Sequence, residues 1–262
     1  MRSPVVLLLL AVLSAPSSAA ERPITVFLER SGKVVPRGDG TVAIPRFGGG
    51  DRAWTAIVAC VKDQFSPFQV EIVDQRPRGG EFITAVVGGK ASQLGLDDST
   101  TNGIGPYDGS VLRTATVHVF SRVGTGERDV ANLCAVTAHE VGHALGLDHE
   151  YKCGDVMSYF NDECGPQRFL DVDVPCGEES ERACATGDAT QNSYRRLAAL
   201  VGLKGGKALV VEDDYDYDDD DVIDADSSDA ADAAADDDED FVPPAGFIDC
   251  NDRDRSRAAR SS

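Results

Sequence analysis

Of the four histidines in this 262-residue chain, three fall within eleven residues, His139, His143 and His149, and their spacing leaves the backbone little choice. Positions four apart lie one turn above each other on one face of an α-helix, so a helix through residues 139–143 aims two rings at one point. A third ring six positions further on reaches that point only if the helix stops and the chain swings back. Gly146 supplies the stop, because a residue without a Cβ takes a left-handed turn at little cost. Glu140 stands beside the first ring, close enough to touch a water on a metal without being a ligand itself. Three imidazoles on zinc leave one position open for water, which is the arrangement of a catalytic rather than a structural site. The bland reading, a helix that happens to carry surface histidines, fails because Gly146 also stands where the turn is needed.

The run His139-Glu140-Val141-Gly142-His143-Ala144-Leu145-Gly146-Leu147-Asp148-His149 has the form H-E-x-x-H-x-x-G-x-x-H and resembles the signature of the metzincin clan of zinc endopeptidases at every fixed position. Asp155-Val156-Met157-Ser158-Tyr159 resembles the clan's Met-turn, with Met157 as its methionine. The resemblance is strong over residues 130–159 and rests elsewhere on the order of elements. It implies a twisted, mostly parallel sheet with an active-site helix, above a smaller, irregular part that carries the Met-turn and a C-terminal helix. The short step from His149 to Met157 looks like matrixins. Glu150 looks like astacins, and Met157-Ser158-Tyr159 is similar to astacins and serralysins, in which the tyrosine reaches the zinc. Carried over, Tyr159 is a fifth ligand or an oxyanion stabiliser; a tyrosine packed under the site is the other reading. Matrixins also tend to hold a structural zinc through further histidines. Only His118 remains for that here, and it reads as an ordinary strand residue, so the second zinc is expected to be missing. No Pro-Arg-Cys-Gly type of inhibitory switch precedes the domain.

The resemblance thus implies a zinc-dependent endopeptidase, with the metal on His139, His143 and His149, metal-activated water as nucleophile and Glu140 as general base. Its substrate is a protein or peptide lying extended against an edge strand formed within residues 102–114. The alternative from a different class is a catalytically silent, zinc-containing acidic adhesion or cation-binding module. The intact Glu140 argues against it, and a Glu140→Gln change separates the two.

The ends of the chain read differently. Arg2, an apolar run over residues 5–13 and small residues up to Ala20 form the pattern of an export signal, residues 1–20. The run is too short to span a bilayer, so a secreted monomer, extracellular or periplasmic, is expected. The formal charge of -20 is concentrated in residues 212–240, which hold 17 acidic residues and no Lys or Arg. Such a run buries too little apolar surface to offset its ordering entropy, so residues 206–262 are expected to be a disordered acidic tail. The acidic balance excludes a nucleic-acid partner, which needs clustered Lys and Arg. Seven cysteines in an exported chain are disulfide candidates. The expected pairs, Cys60 with Cys134, Cys153 with Cys164 and Cys176 with Cys184, are one of about 15 connectivities open to six cysteines. Cys250 is left over beyond the acidic run. The Asp-rich loop 97–108 has two readings, a calcium site or a solvated turn. Its acidic residues lack the alternating spacing of a dedicated calcium loop, which favours the turn.

Between these ends, residues 21–205 suit one domain with its own core. Strands are expected at 24–28, 68–73, 82–87 and 111–120, and helices at 52–65, at 130–145 with Asp129 as its cap, and at about 191–201. The last should bury Tyr194, Leu197, Leu200 and Val201. This order predicts an α+β domain built around one mixed sheet.

Overall fold

The computed structural model describes residues 22–123, 126–159 and 164–206. The expected export signal lies outside these residues, and so do Cys250 and the expected acidic tail apart from Gly206. In chain order the elements are β1 (Ile24–Glu29), β2 (Lys33–Arg37), β3 (Gly40–Ile44), α1 (Gly50–Gln64), β4 (Val70–Val73), β5 (Ile83–Val87), β6 (Gly103–Ile104) and β7 (Thr116–Val119). There follow a short pair β8 (Arg122–Val123) and β9 (Gly126–Glu127), then α2 (Val130–Ala144), β10 (Val174–Gly177), β11 (Glu181–Arg182), β12 (Thr190–Gln191) and α3 (Ser193–Val201).

The principal sheet has the order β4-β1-β5-β7-β6. Its first three pairings are parallel, and β6 closes one edge antiparallel to β7, with Gly103 opposite Val119 and Ile104 opposite His118. This is the mixed sheet of an α+β domain. Central β5 is Ile-Thr-Ala-Val-Val and is buried at every position, because a strand covered on both faces reads as a continuous apolar run rather than an alternating one. Helix α1 buries Trp54, Ile57, Val58 and Val61, a spacing that places one apolar stripe on the core.

Helix α2 differs in kind. Every residue from Leu133 to Ala144 is buried, so the helix runs through the interior, and its polar residues there need partners rather than solvent. Asp129 starts it as expected, accepting a hydrogen bond from the Asn132 amide at 2.8 Å. A disulfide between Cys60 and Cys134 ties α1 to α2. The lower part joins the same core: Phe169 lies 5.2 Å from Phe65 and 5.6 Å from Phe68, and Phe68 lies 5.1 Å from Tyr194 on α3.

Two expectations are corrected, and one hairpin is added. Between β1 and α1, where no strand is expected, stands the β2–β3 hairpin, in which Lys33 pairs with Ile44; Pro36 is tolerated because a two-stranded ribbon is all edge. The strand expected over 111–120 is confined to β7. Residues 112–115 form a turn, closed by Ala115 N donating to Leu112 O, while Leu112 N donates to Ala144 O at 2.8 Å. The backbone there serves an orphan carbonyl at the end of α2 instead of a strand ladder. Helix α3 begins later than expected, because Gln191 pairs in β12 and Asn192 caps the helix by accepting from Arg195 N. It buries Leu197 and Ala198, with Tyr194 and Val201 packed more loosely against the core. Among the described residues no helix is long and apolar enough to cross a membrane.

Candidate active site

The three histidines meet because α2 ends where the sequence said a turn was needed. Gly146 has φ +92°, Gly146 N donates to His143 O at 2.9 Å and Leu147 N to Gly142 O at 3.0 Å. This pair of bonds is a Schellman closure, with buried Leu147 as its hydrophobic anchor. A Cβ on Gly146 would stand 3.0 Å from Gly109 O in a backbone conformation that side chains disfavour. The reversal returns the chain and carries His149 to the other two rings.

His143 Nε2 lies 3.0 Å from His139 Nε2 and 3.0 Å from His149 Nε2. Each Nδ1 meets an acceptor on the outside: Val156 O for His139 at 2.8 Å, Leu147 O for His143 at 2.8 Å, and Glu178 Oε1 for His149 at 2.9 Å. An acceptor at Nδ1 selects the tautomer with its proton there, so the lone pairs of all three Nε2 atoms point inward. Burial, followed by the neighbouring rings, pushes the proton affinity of His139 well down and that of His143 to about 4, which keeps both rings neutral. Three nitrogens on one tetrahedral zinc ion stand about 3.3 Å apart, close to the spacing seen. The donor set therefore fits zinc, and these histidines are a group of described residues whose ligand atoms converge. His118 does not join them. It stands in β7 opposite Ile104, with its Nδ1 buried and without a hydrogen-bond partner.

Glu140 is only 5% exposed and lines the same cleft of about 200 Å³ as the three histidines, Gly103, Ile104 and Tyr159. Burial pushes its carboxyl up to about 8; a cation in the site acts in the opposite direction. Edge strand β6 runs directly over it. A Cβ on Gly103 would lie 2.5 Å from Glu140 Oε1, and one on Gly105 would lie 2.8 Å from Glu140 O. These glycines were not recognised in the sequence, although two glycines around a lone apolar residue in a polar loop signal close backbone approach. Gly103→Ala is therefore expected to displace Glu140 and lower kcat/KM roughly 100-fold. Steady-state kinetics beside a melting curve check this, and an unchanged kcat/KM counts against the close approach.

The Met-turn lies beneath. Met157 is fully buried, and its Sδ occupies the space where Gly142 would carry a Cβ, 2.5 Å away. Asp155 holds the turn by accepting from Met157 N at 2.7 Å, Leu170 N at 2.9 Å and Ser193 Oγ at 2.6 Å. Glu150, buried beside it, is pushed up to about 10 by burial and by the charge of Asp155. The proton stays on Glu150 because the oxygens of Asp155 are occupied by donors. Tyr159 is 41% exposed, with its ring 5.4 Å from that of His149 and nearly perpendicular to it. Tyr107, not recognised from sequence, packs edge-on against His143 at 6.0 Å. In the Asp-rich loop the carboxylates turn onto serines, Asp97 onto Ser99, Asp98 onto Ser92 and Asp108 onto Ser110, as in solvated turns.

Residues 67–174 match the family model described as matrixin. Over these residues the match supports a metzincin-type zinc metalloprotease. The matrixin match spans β4 to the start of β10 and contains the histidine cluster, Glu140 and the Met-turn, and it supports a zinc-dependent endopeptidase. No curated protein matches the chain. The matched segment stops short of Glu178 and Arg182, which sequence reading also passed over. Their only signal was an acidic residue four positions before an arginine inside a short cysteine-bounded loop.

Proposed function

We propose that the chain is a secreted zinc-dependent endopeptidase, with His139, His143 and His149 holding the metal and Glu140 acting as general base. The observation that carries this reading is the convergence of three Nε2 atoms, those of His139 and His149 each 3.0 Å from that of His143, in a cleft that Glu140 also lines. Zinc bound there supplies Lewis acidity, which makes a water nucleophilic near neutral pH and polarises the scissile carbonyl. Glu140 takes the proton of the attacking water and passes it to the leaving amine. Tyr159, on the open side of the cleft, donates a hydrogen bond to the carbonyl oxygen as charge develops on it. The substrate adds as an extended chain along the free edge of β6, main chain to main chain. Ile104, 43% exposed, is an apolar surface for its side chains there. Three disulfides among the described residues support an oxidising, extracytoplasmic location.

Residues 21–262, purified and offered a quenched-fluorescent peptide library, are expected to cleave it, and a zinc chelator is expected to abolish cleavage. A chain that held one zinc and cut nothing in the library would overturn the reading.

A further inference from the structure

The third histidine is held differently from the other two. His139 and His143 lie on a buried helix and lean on backbone carbonyls, whereas His149 follows the turn, on a segment with no helix to fix it. That segment is strapped to β10: Gly177 N donates to His149 O at 3.1 Å and Tyr151 N to Pro175 O at 2.9 Å. Beyond β10 the chain folds back through Glu178 to β11, and the Cys176–Cys184 disulfide closes the loop. At its tip Glu178 Oε1 receives His149 Nδ1 at 2.9 Å.

Glu178 is itself fixed. Arg182 donates to it through Nε at 3.1 Å and through a second nitrogen at 2.5 Å. The same guanidinium grips Asp148 with two bonds of 2.8 and 2.9 Å. Asp148, 4% exposed, also accepts from His149 N and Ala185 N, each at 2.8 Å. Burial works against this carboxylate, but Arg182 and the amides outweigh it and hold it down at about 2. Glu178 is likewise held down at about 2, chiefly by Arg182. The result is one rigid loop in which Asp148 sets the backbone before His149 and Glu178 sets its ring.

We propose that Glu178 is a positioning residue for the third metal ligand, and that the disulfide-closed loop 176–184, through Glu178 and Arg182, sets the zinc affinity of the site. This rests on the zinc reading above and adds to it a carboxylate outside the matrixin match. An ionised carboxylate at Nδ1 fixes the tautomer and makes Nε2 a stronger donor, and loss of such a partner typically costs 10–100-fold in metal affinity.

Competition of the whole folded protein against a chromophoric zinc chelator of known affinity tests this. Glu178→Ala is expected to weaken zinc binding roughly 10–100-fold, and Glu178→Gln, which keeps an oxygen acceptor, to recover part of the loss. Glu178 is only half-buried and its removal leaves the Arg182–Asp148 bonds in place, so the metal-free melting temperature should hardly move. Nitrogen-15 NMR of the metal-free protein gives a readout independent of zinc: His149 is expected to carry its proton on Nδ1 in the parent chain and to lose that preference in Glu178→Ala. Parent-like zinc affinity and an unchanged tautomer in Glu178→Ala would overturn the proposal. A parent chain that binds no zinc at all would instead overturn the reading beneath it.

Discussion

Glu140→Gln is expected to lower kcat/KM by about 10³-fold, within the 10²–10⁴ range that a positioned general base contributes, while the chain keeps its zinc. Glutamine has the shape of glutamate and fits the same narrow space under Gly103 and Gly105, so neither β6 nor α2 is disturbed. It cannot accept the proton of the attacking water. It also removes an ionisable group from a position only 5% exposed, where an uncompensated charge is costly. The melting temperature should therefore hold or rise while activity collapses. Parallel measurement of kcat/KM, zinc per chain and melting temperature checks all three. Activity within tenfold of the parent would mean that another group moves the proton, and the assignment of Glu140 would fall.

The largest stability effect is expected from removing the Cys60–Cys134 disulfide. The bridge closes a separation of 74 residues, and the chain-entropy relation places its contribution at about 4 kcal/mol. The other two bridges, with separations of 11 and 8, come to roughly 2.5–3 kcal/mol each by the same relation. Against a typical total of about 5–15 kcal/mol, the long bridge is the one whose loss leaves the fold marginal. Cys60→Ala/Cys134→Ala should lower the melting temperature by roughly 10 °C and, at low temperature, retain activity, because neither cysteine touches the cleft. Thermal unfolding of the three double-alanine variants ranks them. A smaller loss for the long bridge than for the short ones would contradict the entropic account.

The legible parts of this protein share a physical character: their information is local. The strand from Ile24, the stripe of Trp54, Ile57, Val58 and Val61, the Asp129 cap and the stop at Gly146 each depend on residues within a turn or two, so period and propensity reveal them. The histidine spacing belongs here as well, since a helix turn and a glycine reversal bring His139, His143 and His149 together with little help from distant residues. Strand 111–120 was overestimated for the converse reason. Its apolar content looks like strand, but Leu112 N is claimed by Ala144 O, a partner 32 positions away in the chain.

Tertiary structure alone decided what presses on the site. Gly103 and Gly105 matter because β6 crosses Glu140, and Glu178 matters because a loop 29 residues beyond His149 folds back onto its ring. Period and propensity carry no trace of either contact. Side-chain spacing along one helix is a property of the chain, but the meeting of a carboxylate with an imidazole across two segments depends on how the sheet edge, the α2 end and the disulfide loop pack. Spacing along the chain marks which residues can bind a metal; the packing sets how firmly the last of them is held, because only the folded core brings Arg182, Asp148 and Glu178 within hydrogen-bond reach.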